Sequence, residues 1–273
     1  MNYQTYPPSV KLESFIKCHW SLEVPAGMHP QKQRIVPDGC MEMIFILGDN
    51  IRRYTSDNDF IIQPRAVIVG QLSRPFVIEP TGYVHCFATR FYPYGLANFM
   101  TTPLKELENK ETPIAELFDP VASRALEQRI VLANTNAERI EAVQEFFLDK
   151  LNEQSTIDHI IKGTIDVLLS TNGSTPIKTI VDNEQAGRRQ LERKFLRQVG
   201  LSPKQLGKVI RLQAALKLLL NRRHENLTEI AYQSDYYDQA HFIRDFKDFT
   251  GINPSDFLKD EEMLLSSVFY TSD

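Results

Sequence analysis

Apolar positions between Gly187 and Phe257 trace one pattern twice. Set against itself at an offset of 51 residues, the chain pairs Leu191 with Phe242, Phe195 with Phe246, Gly200 with Gly251, Pro203 with Pro254 and Leu206 with Phe257. Each copy is an i, i+4 apolar stripe stopped by glycine, after which Ser-Pro or Asn-Pro opens the next helix. A short helix precedes each copy, so each reads as a helix-turn-helix that offers its second helix outward. The pattern predicts recognition helices over about 187–199 and 238–249, with Asp238 as an N-cap. It also predicts a long helix from Ser202-Pro203 to about Asn221, a short one over 227–233 and a terminal turn at Pro254. Roughly 18 residues at about 1.5 Å each let the long helix span about 27 Å, which sets two recognition helices about one DNA turn apart.

Ahead of the repeat, Ile157, Ile160, Ile161, Ile165 and Leu168 form the core stripe of a helix over 157–170 that stops at Asn172-Gly173. Thr175-Pro176 opens a short helix to about Asp182. Residues 152–156 (NEQST) read as a linker.

The first half reads as mostly β. Strands are expected at Met41–Leu47, turning through Gly48-Asp49-Asn50 into Ile51–Tyr54, and at Ala66–Gly70, Phe76–Glu79 and Tyr83–Phe91. In the last of these Tyr83, His85, Phe87, Thr89 and Phe91 share one face, and Val84, Cys86, Ala88 and Arg90 the other. Residues 7 to 92 therefore read as a small antiparallel β barrel or sandwich, and the pattern turns helical from Pro93. In Ala137–Leu151 the stripe Ile140, Val143, Phe147, Leu151 packs either onto the β domain or onto a second copy. The fold class is α+β in two domains: 1–151 for sensing or dimerisation and 157–260 all-α, with a tail over 261–273.

Composition changes this picture in two places. Three cysteines, Cys18, Cys40 and Cys86, are too few and too scattered for a disulfide framework or a four-cysteine zinc site. No apolar run or signal sequence addresses the chain to a membrane, so a cytoplasmic protein is expected. The net charge of -4 hides a cluster: from Gly187 to Arg223 eleven basic residues stand against Glu192 alone. Such an excess in an acidic protein is the footprint of a polyanion, or else a solvated helix face.

The run R-Q-L-x-R-x-F…G-L-S-P from Arg189 to Pro203, the long helix after it, and I-A…D-Q-A-H-F-x-R-x-F-K…G-I-N-P from Ile230 to Pro254 resemble the paired helix-turn-helix of AraC-type (AraC/XylS) transcription regulators. P-P-S-V-K-L-E-S-F-I (7 to 16), V-P-D-G-C-M-E-M-I-F (36 to 45) and Gly70-Gln71 resemble an uncharacterised domain often found ahead of that pair. The resemblance implies double-stranded DNA as partner, a small-molecule effector and a homodimer through the first half, and RNA polymerase for an activator. It brings no cofactor and no known chemistry to the first domain. Where the family has a capping serine this chain has Gly187, which predicts a looser helix start. Where the family has Gly-Phe it has Asp235-Tyr236, which asks an aspartate to take a left-handed turn.

In the first recognition helix Leu191, Phe195 and Val199 face the core, leaving Arg188, Arg189, Glu192, Arg193 and Lys194 free for a major groove. Arginine forks bond guanine O6 and N7, and glutamate accepts from cytosine N4. The resemblance places Arg189, Glu192 and Arg193 at base-reading positions. Arg188 and Lys194 touch phosphates in the alternative reading, with Glu192 paired to Arg188. In the second helix the exposed candidates are Gln239, Ala240, His241, Ile243, Arg244 and Lys247, diluted by Asp238, Asp245 and Asp248. The first motif is therefore expected to supply most of the affinity. Lys204, Lys208, Arg211, Arg222 and Arg223, with Lys247, are candidates for the phosphate backbone.

A competing reading makes residues 1 to 150 a metal-dependent small-molecule sensor or enzyme fused to the nucleic-acid-binding module. Its material is His19, His29, Glu42, His85, Cys40 and Cys86, which lack metal-ligand spacing, and no nucleophile elbow or phosphate-binding loop is present. The expectation is no enzyme and no metal. A DNA-repair fusion would need four clustered cysteines and is set aside. For a small-molecule pocket the β domain offers Trp20, His85, Arg90 and Tyr92.

Overall fold

The computed structural model describes residues 1–27, 32–151, 158–180, 185–221, 226–257, 259–263 and 265. The linker 152–156, Ile157, His29, Arg222 and Arg223 lie outside them.

Among the described residues ten strands build the first half: β1 (Asn2–Tyr6), β2 (Ile16–Val24), β3 (Gln33–Ile35), β4 (Met41–Ile46), β5 (Ile51–Tyr54), β6 (Phe60–Ile62), β7 (Ala66–Val69), β8 (Phe76–Pro80), β9 (Val84–Phe91) and β10 (Glu111–Pro113). They form two antiparallel sheets, β1-β2-β9-β4-β7-β10 and β3-β8-β5-β6. Trp20, Leu22, Val24, Ile46, Val84 and Ala88 of the larger sheet share a buried cluster with Ile51 and Ile78 of the smaller. The domain is a sandwich with this cluster between its sheets.

Register decides which side chains meet. Arg90 stands opposite both Cys18 and Glu42, Glu42 opposite Val69, and Val69 opposite Glu111. Opposed residues share a face, so Cys18, Arg90, Glu42, Val69 and Glu111 form one row across the larger sheet. The row looks inward, as the alternation of β9 requires for Arg90. Phe87 and Phe91, on the other face with Met43 and Phe45, pack against helices.

Those helices are α1 (Ile114–Leu117), α2 (Pro120–Leu132) and α3 (Asn136–Leu148). Thr135 and Glu138 close a capping box at the start of α3, and Asp119 caps α2. The Val143 and Phe147 stripe of α3 is buried on the sheet, with Phe147 5.2 Å from Phe91 and edge-on to it. Of the two roles open to this stripe, packing within the chain is the one adopted.

The second half follows as α4 (His159–Ser170), α5 (Ile177–Ile180), α6 (Gln185–Gln198), α7 (Pro203–Asn221), α8 (Leu227–Gln233), α9 (Gln239–Thr250) and α10 (Pro254–Phe257). Leu191 and Phe195 of α6, with Val199 just after it, join Ile161, Ile165 and Leu168 of α4 in one core. Phe242, Phe246 and Phe249 of α9 join Ile230 of α8 in another. The long α7 serves both, giving Leu206 and Ile210 to the first and Leu212 and Leu216 to the second. Both copies stop on a left-handed glycine, Gly200 at φ 88° and Gly251 at φ 78°.

Three expectations need correction. Strands β1, β2, β3, β6 and β10 are additional to those expected. β2 alternates apolar and polar residues from Ile16 to Val24 and belonged among them, while β3, β6 and β10 are three residues each. β10 also interrupts the stretch expected to be purely helical. Third, α6 begins at Gln185, ahead of Gly187, so that glycine lies inside the helix.

Candidate nucleic-acid interface and effector cavity

With Leu191 and Phe195 of α6 and the following Val199 committed to the core, Arg188, Arg189, Glu192 and Arg193 are exposed. Lys194 is half-buried, its Nζ 2.7 Å from Oδ2 of Asp158, whose other oxygen accepts from the amides that start α4. Burial alone would raise the Asp158 carboxyl, but together these bonds outweigh it and hold it below its usual range. On α7, Lys204 is exposed, whereas Lys208 Nζ lies 2.8 Å from Oδ1 of buried Asp245. Arg211 donates to the Gly173 carbonyl at 2.7 Å and covers the Tyr236 ring. Lys194, Lys208 and Arg211 thus have partners inside the chain, and their role as cross-links was not foreseen.

On α9, Ala240, Arg244 and Lys247 are exposed. Gln239 is half-buried and accepts from the Thr228 hydroxyl at 2.9 Å. His241 lies edge-on to Tyr236, with Nε2 3.4 Å from Asp245. Ile243 leans on the second core. Asp238 caps the helix by accepting from the His241 amide at 2.7 Å. Asp245 does not dilute the exposed charge as its sequence position suggests, because it is 1 % exposed and faces α7.

One groove gathers many of these residues. Lys178, Arg188, Lys204, Lys208 and Arg211 border it, with Glu192 as the one acid among the described residues, and His241 enters from the second unit. The excess of cations creates a field that attracts phosphate. A second cleft sets Arg193, Lys194 and Arg197 against residues 97–102 of the first half.

The β sandwich encloses a cavity of about 100 Å³. Its wall is mostly apolar, with the inward row of Arg90, Glu42 and Glu111 and nearby Asp38 as its charged part. Arg90 Nε is 2.7 Å from Glu42 Oε1 and its Nη2 is 3.6 Å from Asp38 Oδ2. Trp20 Nε1 donates to the same Glu42 oxygen at 2.9 Å. Burial pushes the Cys86 thiol in this wall up to about 12, and raises that of Cys40 too.

Of the four pocket residues expected from sequence, Trp20 and Arg90 line the cavity. His85 lies on the other face of β9, 3.9 Å from Glu23, and Tyr92 stacks on Tyr94 beside α7. Asp38, Glu111 and Leu265 were missed. Glu42, first considered as metal material, carried the one available signal: an acid inside the apolar run of β4.

The halves touch closely. Tyr94 joins the first helical core and Val36 the second. Gln213 of α7 donates to the Pro37 carbonyl at 2.5 Å. A Cβ at Gly39 would come within 3.2 Å of Leu206, so residues 36–39 lie hard against α7. Among the described residues no helix is long and apolar enough to cross a membrane, and no group of His, Cys, Asp and Glu is arranged to hold a metal.

Two helix-turn-helix units on one shared helix, with a cationic groove between them, define a DNA-binding protein. A family model described as a helix-turn-helix domain matches residues 181–260, and one described as a domain of unknown function (DUF6597) matches residues 4–113. The chain is a DNA-binding transcription regulator with an AraC-type helix-turn-helix domain behind that N-terminal domain.

None of the curated proteins matches the sequence. Among solved structures, ToxT from Vibrio cholerae shows 14 % identity with TM-score 0.49, over 95 % of this chain and 98 % of that one. An unsaturated-fatty-acid-bound ToxT shows 13 % identity with TM-score 0.43, over 87 % and 94 %. A cupin domain of an XRE-family regulator from Enterobacter cloacae shows 16 % identity with TM-score 0.25, over 34 % and 96 %.

Proposed function

We propose that the chain sets α6 and α9 into successive major grooves of double-stranded DNA, under control of a small molecule bound in the β sandwich. The observation that carries this reading is the single α7 shared by both units. Its 19 residues span about 28 Å and leave the arginines of α6 outside the core. Arg189, Glu192 and Arg193 read bases and supply most of the affinity. Ala240, His241 and Arg244, with Gln239 and Ile243 at the edge, adjust it. Arg188, Lys204 and Lys247 hold phosphates, while Lys194, Lys208 and Arg211 shape the surface.

Control runs through residues 36–39. Arg90 in the cavity wall holds Asp38, and the same loop rests on α7. An occupant that draws Arg90 or Asp38 inward shifts the loop, and with it the helix that spaces the two units. The protein acts in the cytoplasm, where its DNA is. A homodimer, if formed, uses a surface of the first half other than the apolar stripe of α3.

The test is selection of genomic fragments by the purified protein, followed by anisotropy titration of a selected site against random DNA at two salt concentrations. Preference of about a thousandfold with a steep salt slope is expected. Arg193→Ala should weaken the selected complex more than Arg244→Ala. Equal, weak binding to both DNAs would remove the base-reading assignment.

A further inference from the structure

Among the described residues the cavity wall is acidic on balance and its one arginine is engaged. Asp38, Glu42 and Glu111 line it with Arg90, whose guanidinium is already 2.7 Å from Glu42 and 3.6 Å from Asp38. A ligand carboxylate entering here would have to break those pairs and sit among three acids.

Glu111 is the unusual member. Its side chain is 1 % exposed. Gln63 donates to Oε1 at 2.5 Å, but Oε2 has no hydrogen-bond partner among the described residues. The nearest cation to Oε2, Arg53 Nη1, stands off at 3.7 Å. Arg53 is itself held by the Asn109 carbonyl at 2.9 Å and by the Phe76 ring. A buried carboxylate oxygen without a donor costs free energy until one arrives. Burial raises the Glu111 carboxyl above its usual range, with Arg53 and Gln63 opposing, which agrees with a carboxylate short of donors.

Size sets the rest. A cavity of about 100 Å³ is smaller than the roughly 150 Å³ that admits benzene, and Leu265 forms part of its wall. Leu265 belongs to the segment after α10 and is anchored by its amide on Gln33 Oε1 at 3.0 Å. Its side chain stands where the hydrocarbon body of a ligand would lie.

Resting on the reading that this cavity is the effector site, we propose that its ligand is a small apolar amine. The ammonium group bonds Glu111 Oε2 within the acidic row, and the hydrocarbon body takes the place of Leu265. Recognition follows from two complementary features: a buried acceptor without a donor among the described residues, and an apolar wall closed by a leucine from the segment behind the DNA-binding domain. Because Leu265 lies beyond the second helix-turn-helix, seating the amine frees that segment from the sandwich.

The protein reports on itself, since Trp20 is its only tryptophan and lines the cavity. The full chain is titrated with cyclohexylamine, cyclohexanol and cyclohexanecarboxylate while Trp20 emission is followed, and again as Leu265→Ala and as Glu111→Gln. Saturable binding of the amine, at least tenfold tighter than the carboxylate and reduced about tenfold by Glu111→Gln, is expected, with Leu265→Ala strengthening all binding. The series on the unaltered chain decides independently of whether the Glu111 variant folds. Tighter binding of the carboxylate, or equal binding of amine and alcohol, would overturn the amine assignment while leaving an effector cavity. No saturable response to any probe, even in Leu265→Ala, would overturn the effector cavity as well.

Discussion

The amide of Leu265 donates to Oε1 of Gln33 at 3.0 Å, joining the segment beyond the second helix-turn-helix to the edge strand of the smaller sheet. Gln33 is fully buried, and Arg34 beside it pairs with Glu262 at 2.8 Å, so two successive residues of β3 hold the C-terminal segment. Truncation to Leu265→Ala removes a buried leucine and enlarges the cavity behind it. A loss of about 2 kcal/mol is expected in denaturant unfolding. Toluene should then perturb Trp20 emission in the variant and not in the parent protein. An unchanged midpoint with no response to toluene would mean that the leucine seals nothing.

Lys204 and Lys208 lie one helical turn apart on α7, yet different outcomes are expected for their loss. Lys204 is exposed, so Lys204→Ala should leave unfolding unchanged and reduce the salt slope of DNA binding by about one unit. Lys208 is paired with Asp245, and Lys208→Ala leaves that buried carboxylate beside His241 alone. A stability loss of about 1 to 3 kcal/mol is expected there. If both variants unfold alike, the cross-link between α7 and α9 is without weight.

Asp235 follows α8 with φ 57°, the left-handed region that the sequence demanded of a residue other than glycine. A side chain there costs roughly 1 to 2 kcal/mol, less for aspartate, and glycine loses part of the gain through its freer unfolded chain. Asp235→Gly should therefore raise stability by about 0.5 kcal/mol, and Asp235→Ala should lower it. Thermal unfolding of the two variants checks the order, which fails if alanine is the better residue.

The helical half was legible because its information is periodic and repeated. Leu191 with Phe242 and Gly200 with Gly251 each occupy equivalent places, so one copy vouched for the other. The exposed arginines of α6 followed from subtracting the core stripe. Partners across the fold did not follow. Nothing near Lys208 in the chain marks Asp245, 37 residues on, as its mate, and a buried aspartate among α9's acids reads as surface charge. The cavity was hidden for a similar reason. Arg90, Glu42 and Glu111 come from three strands, and Glu111 is brought into their row by β10, a three-residue strand inside a stretch that reads as helical. Single-strand alternation did place Arg90 on the face opposite His85, and that face proved to be the inner one.

His19 supplies the last expectation. It is fully buried on the helix side of β2, with Nδ1 2.8 Å from the Thr89 hydroxyl, Nε2 3.4 Å from Gln144 Nε2, and its ring stacked on Phe87. Burial lowers its pKa from the ordinary 6.5 to about 4. The folded protein thus keeps the imidazole neutral where the unfolded chain binds a proton. The stabilising effect is complete above pH 6.5. It declines as pH falls from about 6.5 toward 4, because the unfolded state takes up the extra proton, and below about 4 both states are charged. The difference amounts to about 3 kcal/mol across that window. Unfolding free energies at pH 7 and pH 5 should differ less in His19→Gln than in the parent, once carboxylate contributions common to both are subtracted. Equal pH dependence in the two proteins would show that the histidine is charged, or solvated, in the folded state.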